Sequence, residues 1–102
     1  MISRRIKNNE LTFDLVGEID QLCAYKIRNY VDDEIDKFKG KYIVFNLEKV
    51  EFMDSTGIGI LLGRYKKYAE QGKIFFVKNP NNSVDKVLRL SGIYQLMKRM
   101  EC

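Results

Sequence analysis

The chain has 102 residues, with 18 Lys or Arg, 14 Asp or Glu, and no histidine. That length suits one small domain, and a hydrophobic fraction of 45% can fill an ordinary core without staples. The missing histidine excludes Ser-His-Asp and Cys-His catalysis and His-ligated zinc, and the net charge of +4 is interleaved with acidic residues rather than gathered as a nucleic-acid surface would gather it.

The first 16 residues read as a hairpin. Residues 2 to 7 alternate weakly, through Ile2, Arg4 and Ile6, and residues 11 to 16 alternate better, with Leu11, Phe13 and Leu15 on one face. Asn8-Asn9 between them suits a tight turn, because asparagine tolerates positive φ. From Asp20 the pattern changes period: Cys23, Ile27, Tyr30, Val31, Ile35 and Phe38 recur at three or four. This predicts one amphipathic helix, with Asp20 as N-cap and Gly40 as stop. Cys23 is expected to be a small buried hydrophobe; it and Cys102 form no CxxC pair, and no structural disulfide is expected.

Lys41 to Leu47 is a short, nearly continuous apolar strand of the kind buried on both faces. A polar step, Asp54-Ser55-Thr56, then opens a helix from about Ser55 to Gln71, stopped by Gly72. Residues 73 to 77 form another buried strand, and Asn79-Pro80 turns the chain. A helix starting near Asn82-Ser83 carries Val84, Val87 and Leu88 until Ser91-Gly92 breaks it, and Ile93, Leu96 and Met97 predict a short terminal helical face. The order ββαβαβα gives an α/β fold in one domain, residues 1 to 102. Its mixed sheet has three parallel strands and an antiparallel N-terminal strand.

Parallel strand-helix-strand units gather the loops leaving the strand C-termini on one edge, where such sheets bind ligands. The loops expected there are Gly17 to Asp20, Phe52 to Thr56 and Lys78 to Asn81, so Asp20, Asp54, Ser55 and Asn79 become candidate neighbours.

The helix after the polar step is unusual. Ile58, Leu61, Leu62, Tyr65 and Ala69 share the face expected to meet the core, leaving Gly59, Ile60, Gly63 and Lys67 on the other. Each interior glycine costs about 1 kcal/mol relative to alanine. A flat glycine strip beside an exposed Ile60 predicts a surface where a partner backbone comes close; the alternative is packing against this protein's own neighbouring helix. Either Asp54 or Ser55 can cap the helix. The same N-terminus favours a phosphate, bound as a ligand or attached to Ser55. The spacing Gly57-x-Gly59-x-x-x-Gly63 matches neither GxxxxGK[ST] nor GxGxxG. Without a histidine to activate it, Ser55 fits the role of another protein's substrate better than that of a nucleophile.

The stretch "FMDSTGIGILLGRYK", residues 52 to 66, resembles the signature D-S-[ST]-G-x-G-x-x-x-G-R-Y-K of bacterial anti-sigma factor antagonists, members of the STAS-domain family. "LVGEID", "NLEKVEFMDS" and "RLSGIYQLMK" extend the resemblance over nearly the whole chain, and "LGRYK" is similar to the sporulation antagonists in particular. The resemblance implies a non-enzymatic binding module without metal or cofactor. Unphosphorylated, it would bind an anti-sigma factor that is itself an ATP-dependent serine kinase, and so free the sporulation sigma factor. Phosphorylation of Ser55 by that kinase would release it, and a serine phosphatase would restore it. Thr56 stands where the family often has a second serine, a second candidate acceptor. Asp20, Asp54, Thr56, Gly57, Gly59, Ile60 and Gly63 are the expected partner-binding residues. No direct nucleic-acid contact is expected, and the free protein is expected to be a monomer. No apolar run reaches the roughly 18 residues of a membrane span and no charged-then-apolar leader opens the chain, so the cytoplasm is the expected location. Two other classes fit the residues alone: a small nucleotide- or phosphate-binding enzyme using the same edge, and a subunit of a larger STAS assembly.

Overall fold

A computed structural model describes residues 2–100; Cys102 lies outside the described residues. Strand β1 (Ile2–Lys7) turns at Asn8, whose φ is 58°, into β2 (Glu10–Ile19). Then come α1 (Gln21–Lys37), β3 (Tyr42–Met53), α2 (Ser55–Tyr68) with a short 3-10 extension (Ala69–Gln71), β4 (Ile74–Lys78), α3 (Asn82–Ser91), a 3-10 turn (Ile93–Gln95) and β5 (Lys98–Met100). The strands lie in the order β1-β2-β3-β4-β5, with β1 antiparallel to β2 and the other neighbours parallel.

Strand order equals chain order, so right-handed crossovers put all three helices on one face of the sheet. The alternation agrees. Leu11, Phe13, Ile43, Phe45, Phe75 and Val77 point one way and are buried. Phe13, Phe45 and Phe75 stack in a row across three strands, with centroids 5.8 and 6.0 Å apart. Ile27, Val31 and Ile35 of α1, Leu61 and Tyr68 of α2, and Val84 and Leu88 of α3 close this core.

Four differences from expectation have identifiable causes. The sheet has a fifth strand: the expected terminal helix is only the 3-10 turn, and Lys98–Met100 pairs with Phe76–Lys78. Three residues, two of them charged, carry no strand pattern of their own and are ordered by a neighbour. Second, α1 stops at Lys37, and Phe38 is already extended, so Gly40 is not its stop. Gly40 serves a close approach instead, since a Cβ there would lie 2.4 Å from Asn9 Oδ1 and from the Phe38 ring. Third, β3 runs on to Met53 and β2 to Ile19. Glu48, Lys49 and Glu51 are exposed on this second half, hiding the inward Val50 and Met53 from a reading by apolar runs. Register shifts between Asp14 and Val16, and between Gly17 and Glu18, keep the two strands paired, with Gly17 at φ 90°. Fourth, Cys23 is only half-buried, its Sγ 3.4 Å from the Asp20 carbonyl oxygen.

Candidate functional site at the strand C-termini

The longer strands sharpen the edge. Ile19 pairs with Met53, and one residue later both chains leave the sheet, at Asp20 and Asp54. Neighbouring strands lie about 4.8 Å apart, so two helix N-termini stand side by side. Each aspartate caps its helix. Asp20 Oδ1 accepts hydrogen bonds from the backbone N–H of Leu22 at 3.1 Å and of Cys23 at 3.3 Å. Asp54 Oδ1 accepts from the Thr56 N–H at 2.8 Å. A third cap joins them from β4: Asn81 accepts from the Val84 N–H at 2.8 Å and donates through Nδ2 to the Val50 carbonyl at 3.1 Å, tying the start of α3 to β3. Asn79, the expected neighbour, supplies the left-handed turn at φ 55° that makes this possible. The helper missed by sequence reasoning is Asn81, although an asparagine just before a helical pattern is an N-cap signal.

Two residues open to the caps matter chemically. Ser55, the first residue of α2, is exposed and does not serve as the cap, because Asp54 takes that role. Thr56, half-buried, commits its N–H to Asp54.

The glycines divide. At Gly59 and Gly63 nothing lies within 4 Å of the position a Cβ would take, so neither is required by packing within the chain. Gly57 is different: it is buried, and a Cβ there would lie 2.4 Å from Met53 Cγ. Its job is to let α2 approach the end of β3. Ile60 corrects the expectation more sharply. It is buried, at 3% exposure, and offers no surface to a partner. The reason is that α2 has two neighbours, the sheet and α1. Arg64 and Lys67 pair with Asp32 at 2.8 and 3.0 Å, and the Tyr68 hydroxyl donates to Asp36 Oδ1 at 3.0 Å, which turns this side of α2 toward α1. Ile60, four residues before Arg64 and eight before Tyr68, falls in that seam. Two large exposed apolar side chains near this edge are on α1 instead, Leu22 and Tyr25, at 92% and 67% exposure; Phe52, near the end of β3, is a third at 51%. A helical-period reading looks for buried stripes and passes over the two on α1.

The STAS-domain model matches residues 1–101. The chain belongs to the STAS-domain family. This STAS domain is 35% identical over 83 residues to an anti-sigma F factor antagonist of Paenibacillus polymyxa, covering 81% of this chain and 71% of that one. Its fold is similar to the unphosphorylated form of the anti-sigma factor antagonist SpoIIAA, with a TM-score of 0.85 at 26% identity over 100% of this chain and 88% of the other. It is similar as well to the Bacillus cell fate determinant SpoIIAA in its phosphorylated form, with a TM-score of 0.77 at 25% identity, over 100% of this STAS domain and 91% of that chain. No helix among the described residues is long and apolar enough to cross a membrane.

Proposed function

We propose that this STAS domain is an anti-sigma factor antagonist of the SpoIIAA kind, switched by phosphorylation of Ser55. In its unphosphorylated state it binds an anti-sigma factor that is a serine kinase and so frees a sporulation sigma factor. The kinase transfers the γ-phosphoryl group of ATP to Ser55 Oγ, with ADP leaving and the hydroxyl proton passing to a base on the kinase. The modified domain is released, and a serine phosphatase hydrolyses the ester. The observation that carries this reading is the division of labour at the start of α2: Asp54 holds the cap, and Ser55 beside it is exposed and uncommitted. Similarity to SpoIIAA, solved in both unphosphorylated and phosphorylated forms, supports it.

The geometry suits a switch that acts on a complex. A phosphate on Ser55 adds about −1.5 to −2 charges, which the free N–H groups and dipole of the α2 N-terminus can accept. Asp54 opposes that charge through solvent, where repulsion is screened. Asp20, Asp54, Thr56 and the open positions Gly59 and Gly63 form the docking edge, and Gly57 sets the height of α2 against β3. Against a partner built for a neutral hydroxyl, the phosphate is buried without a counter-charge, a cost of several kcal/mol. The test is intact-mass analysis after incubation with ATP and the cognate anti-sigma factor. One added phosphate, mapped to Ser55 and absent from Ser55→Ala, is expected; phosphate at Thr56 alone, or none, sinks the proposal.

A further inference from the structure

We infer that Leu22 and Tyr25, on the first two turns of α1, are the apolar anchors for the anti-sigma factor kinase, an inference that rests on the reading of Ser55 as its acceptor. Single exposed apolar residues are ordinary; here two coincide, three residues apart and therefore adjacent on one helix, at 92% and 67% exposure.

Their position follows from the helix register. Asp32 of α1 contacts Arg64 and Lys67 of α2. Both helices follow parallel strands and run the same way, so the register carries upward from that contact. Tyr25 is seven residues before Asp32, about 10 Å nearer the Ser55 edge and on the same helical stripe. The matching level of α2 is Gly59 and Ile60. Ile60 is buried, and Gly59 has open space where a side chain would be, so the Tyr25 ring meets no wall on α2 there and stays in solvent. Leu22 stands one turn higher, just past the cap that Asp20 provides beside Asp54.

The occupant follows from size. A stable interface buries about 800 Å² on each partner, a disc of roughly 16 Å radius. A kinase that reaches Ser55 must cover such a disc around it. Leu22 and Tyr25 fall inside, because α1 begins one strand spacing from α2 and both residues lie within its first two turns. They are the leucine and the tyrosine that this surface can bury on docking, a role closed to the buried Ile60.

Calorimetric titration of the purified domain with its cognate anti-sigma factor and ADP tests this, using wild type, Leu22→Ser, Tyr25→Ser, the double variant, Leu22→Met and Ile6→Ser. Ile6, also exposed, sits at the hairpin end of the sheet, about 26 Å along β2 from Ile19. Each serine variant is expected to weaken binding roughly tenfold and the double variant on the order of 100-fold. Leu22→Met should bind more tightly than Leu22→Ser, Ile6→Ser should bind like wild type, and all variants should keep the wild-type circular dichroism spectrum and melting temperature. Serine variants that bind within twofold of a binding wild type overturn the anchors and leave the Ser55 reading standing. A wild type that neither binds the kinase nor takes phosphate from it overturns both. Unchanged kinase affinity with lost self-association assigns the patch to a second copy and likewise overturns the inference.

Discussion

Ser55 and Asp54 show how one residue's identity frees its neighbour. Aspartate at the cap accepts the Thr56 N–H, so the serine hydroxyl has no structural duty in α2. Ser55→Ala should therefore leave stability within about 0.5 kcal/mol of wild type yet hold the kinase persistently, because release cannot be triggered. Ser55→Asp should fold and bind poorly; full affinity in that variant would undercut a local-charge switch. Asp54→Ala should cost roughly 1 kcal/mol as a lost cap, measured by urea denaturation. The three helical glycines make a sharper set. Gly59→Ala meets open space and removes a poor helix former, so it should stabilise by up to about 1 kcal/mol. Gly57→Ala forces a methyl group against the buried Met53 and should destabilise by about 1–3 kcal/mol. Stabilities of equal sign in the two variants would refute the division drawn between them. Gly59→Arg should fold normally and lose partner binding, because its bulk stands where a second backbone is expected.

At the scale of elements, the late part of the chain hangs on one carboxylate. Asp85 of α3, nearly buried, accepts hydrogen bonds from the Tyr94 hydroxyl in the 3-10 turn, from Arg89 one turn along α3, and from Arg99 on β5 at 2.7 Å. The Tyr94 hydroxyl, helped by the two arginines, holds this carboxyl below its ordinary value of 3.8 despite burial. Burial, with the carboxylate beside it, pushes the Tyr94 phenol up to about 12. A carboxyl whose folded pKa is depressed contributes stability that is complete above the unfolded value. It is lost as pH falls from about 4 toward the folded one. Asp14, lowered chiefly by its hydrogen bond from Arg5, acts in the same direction. Denaturation midpoints should thus fall steeply below about pH 4 in wild type and less steeply in Asp85→Asn. That variant should itself cost about 2–4 kcal/mol at pH 7, since the arginine pairing is lost and Tyr94 keeps only a weaker acceptor. An unchanged acid slope would remove Asp85 from this role.

Across the whole molecule, chain order equals strand order and the strands from β2 to β5 are parallel, and these two facts together place every helix N-terminus on one edge and every helix on one face. The proposed switch needs nothing more: a rigid edge with an exposed hydroxyl, available to be read by another protein. Phosphorylated and unphosphorylated domains should therefore give superimposable far-ultraviolet circular dichroism spectra while kinase affinity falls by 100-fold or more. A large spectral change would mean that the switch is conformational.

Much of this was legible in the residues themselves, wherever the signal is local. The Asn8-Asn9 turn, the cap at Asp20, a cap at Asp54 or Ser55, the stops at Gly72 and Gly92 and the period of α1 each depend on a few neighbouring residues, and short-range sterics and hydrogen bonding settle them. Ser55 is proposed on the same kind of signal, a motif contained in 15 residues. What only the tertiary structure decided concerns which surfaces meet. The strand at Lys98–Met100 exists because β4 offers it an edge. Ile60 is buried because α1 leans on α2 through Asp32, 32 positions from Arg64 in the chain. Leu22 and Tyr25 stay exposed although they lie on a helix whose other face is buried in the core. A helical period states that a helix has two faces; the number of neighbours packed around it determines how many of its residues are hidden, and those neighbours arrive from distant parts of the chain.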